Sequence, residues 1–251
     1  MPGPIVLVGS GEFTAAMEAV DRELLAGTGR ARPRVAVVPT ASWPDGEETF
    51  QRWLAEGEAH FAALGAEVEG VELRTRADAL DGACAQAIGE ADVVYLSGGK
   101  PDHLLDVLAG SPAEEALWAV HERGGVVAGC SAGAMVLAAR QPRVGRRLFR
   151  FPLGWRDALG LVERTVVLPH YDAFPETLAA AVVLVAPRGT VVLGIDEETA
   201  AVGRDGAWQV RGPGRVTVWR GRGRTRHRAG ETFRLSIPPP ADEAGAADEW
   251  T

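Results

Sequence analysis

The sequence predicts an α/β protein: a doubly wound, mostly parallel sheet flanked by helices, with an antiparallel extension at the C-terminal end. Three observations carry this. Short β-branched runs alternate with longer Ala/Leu/Glu segments of helical period. Most of those runs are apolar throughout, as strands covered on both faces must be. From Ala200 the texture changes to short alternating strands broken by Asp-Gly and Pro-Gly, which turn the chain back on itself.

The elements follow in order. IVLVG (5–9) reads as a strand, 14–26 as a helix, RVAVVPT (34–40) as a strand and 46–64 as a helix. EVEGVEL (67–73), a helix at 76–88 and DVVYLSG (92–98) come next. Two helices are then expected, 101–109 and 112–122. The second start is the better marked, because SPAE (111–114) combines a Ser cap, a Pro at the first helical position and a Glu three residues after the cap. GVVAGC (125–130), TVVLP (165–169) and TVVLGI (190–195) are the remaining apolar strands, with a helix at 175–186 between the last two. Residues 1–237 read as one domain. The Pro-rich, then acidic segment 238–251 reads as a disordered tail.

Composition excludes several classes. The chain has 251 residues, 46% of them apolar, enough for an ordinary buried core. A net charge of -8 gives no electrostatic footprint for nucleic acid, and the basic runs at 143–150 and 220–228 read as solvated loops or a solvated hairpin. Cys84 and Cys130 are the only cysteines and show neither a metal-binding spacing nor a disulfide framework. The N-terminal apolar run is five residues long, too short for a signal peptide or a membrane span. A cytoplasmic, soluble protein without metal is the expectation.

In an open parallel sheet, chemistry collects at the carboxyl ends of the strands. Four such segments are polar: SGGKPDHLL (97–105), GCSAGA (129–134), LPHYDAF (168–174) and GIDEETA (194–200). In the second, Gly129-x-Ser131-x-Gly133 has the spacing of a nucleophile elbow, whose tight strand-to-helix turn demands small residues two before and two after the nucleophile. Centred on Cys130 the pattern would need Ala128 and Ala132, a poorer fit. An elbow serine sits at a helix N-terminus, where the Ala132 amide is free to face a developing oxyanion. The Gly99 amide, after the strand DVVYL, is the expected second donor. Among five histidines, His170 follows an apolar strand and a Pro, which puts it at a strand end beside the elbow. His60, His103, His121 and His227 fall in helices or in the arginine-rich hairpin. Asp172, Asp196 and Glu197 all remain open as the acid that orients the histidine. Alternative readings are a thiol enzyme using Cys130, a non-catalytic amidotransferase-like binding or sensor domain, and a dinucleotide site at VGSGEF (8–13), which lacks the third glycine.

GGKPDHLL, GCSAGAMVL, PHYDAF and GIDEETA, in that order and spacing, resemble the cyanophycinase and dipeptidase E family of serine peptidases over roughly residues 5–220. The resemblance implies a class I glutamine amidotransferase-like fold and a Ser131–His170–Glu197 triad, with Glu197 preferred over Asp196. It also implies hydrolysis of a peptide or isopeptide bond in a small peptide without any cofactor, and a fold that often forms homodimers. Cyanophycinase carries a Gln before the histidine and arginines after it, for a branched Asp-Arg polymer. Here Pro169 takes the Gln position and no Arg lies between His170 and Pro187, which argues against that polymer. Lys100 also departs from the family's glycine loop. It is the single lysine of the chain and is the expected substrate-binding residue, for an acidic group near the scissile bond.

Overall fold

The structure is a computed structural model that describes residues 1–143 and 154–235. The expected tail at 238–251 and most of the basic run at 143–150 lie outside the described residues. The first half alternates strand and helix: β1 (Ile5–Val8), α1 (Glu18–Gly27), β2 (Arg34–Val38), α2 (Glu47–Ala63), β3 (Glu67–Gly70), α3 (Arg76–Leu80), α4 (Gly82–Glu90), β4 (Val93–Leu96), α5 (Pro101–Leu108), α6 (Pro112–Glu122) and β5 (Val126–Cys130). After Ser131 come α7 (Ala132–Leu137), the paired strands β6 (Arg140–Pro142) and β7 (Trp155–Asp157), then β8 (Thr165–Leu168), α8 (Glu176–Val185) and β9 (Val191–Ile195). The described chain finishes with β10 (Ala200–Arg204), β11 (Ala207–Arg211), β12 (Arg215–Arg220), β13 (Gly223–Arg228) and β14 (Thr232–Arg234).

Eight strands form the main sheet, in the order β14-β11-β10-β1-β5-β4-β2-β3. From β1 to β3 every neighbouring pair is parallel, so the carboxyl ends of β1, β5 and β4 open side by side. Every residue of these three strands is buried, in keeping with their unbroken apolar sequence. At the edge, β3 alternates exposed and half-buried residues.

β8 and β9 run parallel to one another but belong to a second sheet of order β13-β12-β9-β8. The free edge of β1 is taken by antiparallel β10, pairing Ile5 with Gly203 and Val8 with Ala200, which leaves no place for them beside β1. The antiparallel extension is therefore shared: β10, β11 and β14 widen the main sheet, and β12 and β13 widen the second. The sheets are joined by one core. Its buried members include Leu7, Leu96, Val127 and Leu137 from the first sheet and α7, and Val167, Leu193 and Ile195 from the second.

Local chemistry sets the helix ends. Ser111 Oγ accepts from the Glu114 N–H at 3.2 Å with Pro112 at the first helical position, as SPAE predicts. Losing such a cap costs about 1 kcal/mol. The helix expected over 76–88 is divided at Asp81, whose backbone is extended and whose carboxylate caps Ala83 N–H to begin α4. α1 begins four residues later than its pattern, because Thr14 and Met17 make turn hydrogen bonds to Gly11 and Thr14 instead.

Candidate active site

Ser131 joins β5 to α7 with φ 49° and ψ −105°, a conformation that costs a non-glycine residue on the order of 1–3 kcal/mol. Its N–H is anchored on Val8 O at 2.9 Å. The flanking glycines are sterically required. A Cβ on Gly129 would stand 2.5 Å from Gly133 C, and one on Gly133 would stand 2.4 Å from Leu96 O. The spacing read from sequence is thus the spacing at which backbone meets backbone.

His170 follows β8 and also has a positive φ, 52°. Its Nε2 lies 2.9 Å from Ser131 Oγ, and its Nδ1 lies 2.9 Å from Glu197 Oε1, just beyond β9. The three carboxylates left open by sequence separate in space. Asp172 accepts the backbone N–H of Glu197 at 2.8 Å. Asp196 is buried and faces away, accepting the Arg215 N–H at 3.0 Å, with the Arg215 guanidinium at 3.5 Å. Burial, and then the Asp172 charge, raise its pKa above the ordinary aspartate value. Glu197 alone of the three meets the imidazole. Hydroxyl, imidazole and carboxylate therefore form an unbroken relay, drawn from the ends of three strands in two sheets.

At the start of α7, the Ala132 N–H has no acceptor among the described residues, and neither has the Gly99 N–H in the loop after β4. Gly99 has φ 140°, and a Cβ there would stand 2.3 Å from Ala41 O. Lys100 leaves the same loop exposed, with its Nζ 3.1 Å from Asp45 Oδ1, so the ammonium is already paired.

Cys130 is fully buried, and its thiol donates to Glu12 Oε2 at 2.8 Å. Burial, then the neighbouring Glu12 charge, push the thiol well above its usual pKa, so it is protonated at neutral pH. A buried thiol turned onto a carboxylate lacks the exposure and the electropositive surroundings of a reactive thiolate. The other histidines stand elsewhere: His60 pairs with Asp21 at 2.8 Å, His103 with Arg74 O at 2.8 Å and His227 with Thr225 at 3.0 Å, and His121 lies in the last turn of α6. The loop VGSGEF, weighed as a dinucleotide site, instead sends Glu12 into the protein and packs Phe13 against Phe61 and Tyr95. No group of His, Cys, Asp or Glu among the described residues forms a metal-binding cluster.

The family model described as peptidase family S51 matches residues 5–210, most of the chain. The chain belongs to peptidase family S51. It is accordingly a serine peptidase. The solved structure of a peptidase from an acI-B1 Actinobacterium is similar to this S51 chain with a TM-score of 0.84 and 31% identity, covering 94% of this chain and 98% of that one. A putative peptidase E protein from Listeria monocytogenes EGD-e is similar in fold, with a TM-score of 0.57 and 18% identity over 92% of this chain and 100% of that one. The architecture of this S51 member is the class I glutamine amidotransferase-like fold that the resemblance implied. No curated protein matches the chain. Among the described residues, no helix is long and apolar enough to cross a membrane.

Proposed function

We propose that this S51 peptidase cleaves a peptide or isopeptide bond in a small peptide with Ser131 as nucleophile, His170 as general base and then acid, and Glu197 as the group that orients the imidazole. The observation that carries this is the relay of two 2.9 Å contacts, Ser131 Oγ to His170 Nε2 and His170 Nδ1 to Glu197 Oε1. With the Glu197 carboxylate at Nδ1, the imidazole proton resides there and Nε2 is left as an acceptor for the serine proton. Ser131 Oγ attacks the scissile carbonyl as Nε2 takes that proton. The carbonyl oxygen becomes an oxyanion facing the N–H groups of Gly99 and Ala132. Nε2 then protonates the leaving amine, and water repeats the sequence on the acyl-enzyme. The chemistry needs no metal or organic cofactor.

The substrate group nearest Lys100 is acidic in this reading. Asp45 holds the ammonium at the rim of the loop, and a substrate carboxylate would share or replace that partner. The test of the nucleophile is covalent labelling by a fluorophosphonate. Ser131→Ala abolishes labelling and hydrolysis, whereas Cys130→Ala remains labelled. Labelling that persists in folded Ser131→Ala would sink the assignment.

A further inference from the structure

Glu12 lies in the loop after β1, outside the relay, yet it is 8% exposed and both of its carboxyl oxygens accept hydrogen bonds. Oε1 accepts the Gly98 N–H at 2.8 Å, and Oε2 accepts the Cys130 thiol at 2.8 Å. Gly98 directly precedes Gly99, and Cys130 directly precedes Ser131. Because β1, β5 and β4 are consecutive in the sheet, one side chain from the loop after β1 grips both the last residue of β5 and the loop after β4. We infer that Glu12 is a positioning residue that braces the two halves of the oxyanion hole against one another.

The backbone explains what is held. The Gly98–Gly99 peptide, which presents the Gly99 N–H, is flanked by two anchored peptides: the Gly98 N–H is fixed on Glu12 and the Lys100 N–H on Ala41 O at 2.7 Å. Across the gap, the elbow is fixed by Ser131 N–H on Val8 O and, one residue earlier, by the Cys130 thiol on Glu12. A Cβ on Gly98 would stand 2.7 Å from Glu12 Oε1 and 3.4 Å from Ser131 Cβ, so the brace adjoins the reacting serine. The residues near the site also carry backbone strain. Phe13, next to Glu12, has φ 63°, and Ser131, His170 and Glu198 all have positive φ. Such conformations persist only where surrounding contacts hold them. An oxyanion hole acts by donors aimed in advance at a charge that appears only in the transition state. A fixed carboxylate behind both loops supplies that aim.

This inference rests on Ser131 being the nucleophile, and saturation labelling by a fluorophosphonate separates the two claims. The maximal labelling rate reads the oxyanion hole, and the half-saturating concentration reads binding. Glu12→Met keeps the bulk but removes both acceptors. It is expected to lower the maximal rate about 100-fold, the scale of losing one oxyanion donor, with half-saturation changed by less than about twofold. Glu12→Gln keeps an acceptor oxygen for the Gly98 N–H and is expected to recover to within about tenfold of wild type. A folded Glu12→Met protein labelled at the wild-type maximal rate would overturn the brace alone. So would Glu12→Gln as slow as Glu12→Met, which would assign the effect to charge, or a loss expressed only in half-saturation. If circular dichroism shows Glu12→Met unfolded, Glu12→Asp decides. It is one methylene too short to hold both donors, and is expected to lose at least about tenfold in maximal rate; an unchanged rate overturns the brace. Wild-type protein that is not labelled at all, or Ser131→Ala that is, would overturn the nucleophile assignment and the brace with it.

Discussion

Asp172 and Glu197 are joined by a hydrogen bond of 2.8 Å, from the Glu197 backbone N–H to Asp172 Oδ1. Asp172 stands two residues after His170, so this contact ties the loop that carries the imidazole to the loop that carries its carboxylate partner. Asp172→Ala frees the Glu197 backbone and is expected to lower turnover about tenfold. Asp172→Asn keeps an acceptor oxygen and is expected to stay within about threefold of wild type. Steady-state rates of the two variants check this, and Asn as damaging as Ala would show that the negative charge, not the tether, matters.

His170 and Glu197 are expected to act with Ser131 as a unit. His170→Ala should lower turnover by several orders of magnitude, Glu197→Gln by less, and the double variant little more than His170→Ala, because groups that share one step are grossly non-additive. Asp196→Asn is expected to leave turnover close to wild type, since Asp196 turns toward Arg215. Rates that multiply in the double variant, or Asp196→Asn slower than Glu197→Gln, would move the acid by one residue.

Asp196 also has a pH signature. Burial, and then Asp172, raise its pKa in the folded protein above the ordinary value of 3.8. A raised carboxyl binds its proton more tightly folded than unfolded, so its contribution favours the fold below about 3.8 and is lost as pH rises through the folded pKa. Asp196→Asn removes that ionisation. The difference in urea midpoint, variant minus wild type, should therefore grow in the variant's favour as pH climbs through this window and then level off. A difference that is flat with pH would show that Asp196 titrates alike in both states.

Lys100 and Asp45 make an opposed pair of tests. Lys100→Met is expected to raise KM about tenfold for acidic substrates, equivalent to about 1.4 kcal/mol, and to leave neutral ones little changed. Asp45→Asn releases the ammonium from its 3.1 Å partner and is expected to lower KM for acidic substrates. A panel of acidic and neutral dipeptides reads both variants. Equal shifts across the panel would assign Lys100 to loop support.

How far the sequence reached follows from what kind of constraint each residue obeys. The elbow was legible because Gly129 and Gly133 meet neighbouring backbone, so their identity is dictated by contact distance and appears as a local spacing. That His170 stands beside the elbow was legible from its place after an apolar strand. The carboxylate was not legible from residues alone: Asp172, Asp196 and Glu197 crowd the ends of two strands, and which one meets the imidazole depends on the direction each leaves the backbone. The separate sheet of β8 and β9 was hidden because apolar strands look alike whichever neighbour they pair with. Glu12 was hidden most deeply. Its partners stand 86 and 118 positions away, so no local pattern marks it, and its loop was read as a weak glycine motif.

The serine belongs to the end of one sheet, whereas the imidazole and its carboxylate belong to the end of another. Their 2.9 Å contact is therefore a gauge of how the sheets seat on their common core. A slip of about 1 Å at such a contact costs on the order of 100-fold in rate, although each sheet keeps its own hydrogen bonds through the slip. Warming should thus silence the enzyme before it melts, with turnover falling while amide protons in β1 and β9 remain protected from exchange. If Ser131 and His170 act together as proposed, catalysis is a property of the seam, and loosening the seam lowers the rate without touching a reacting group.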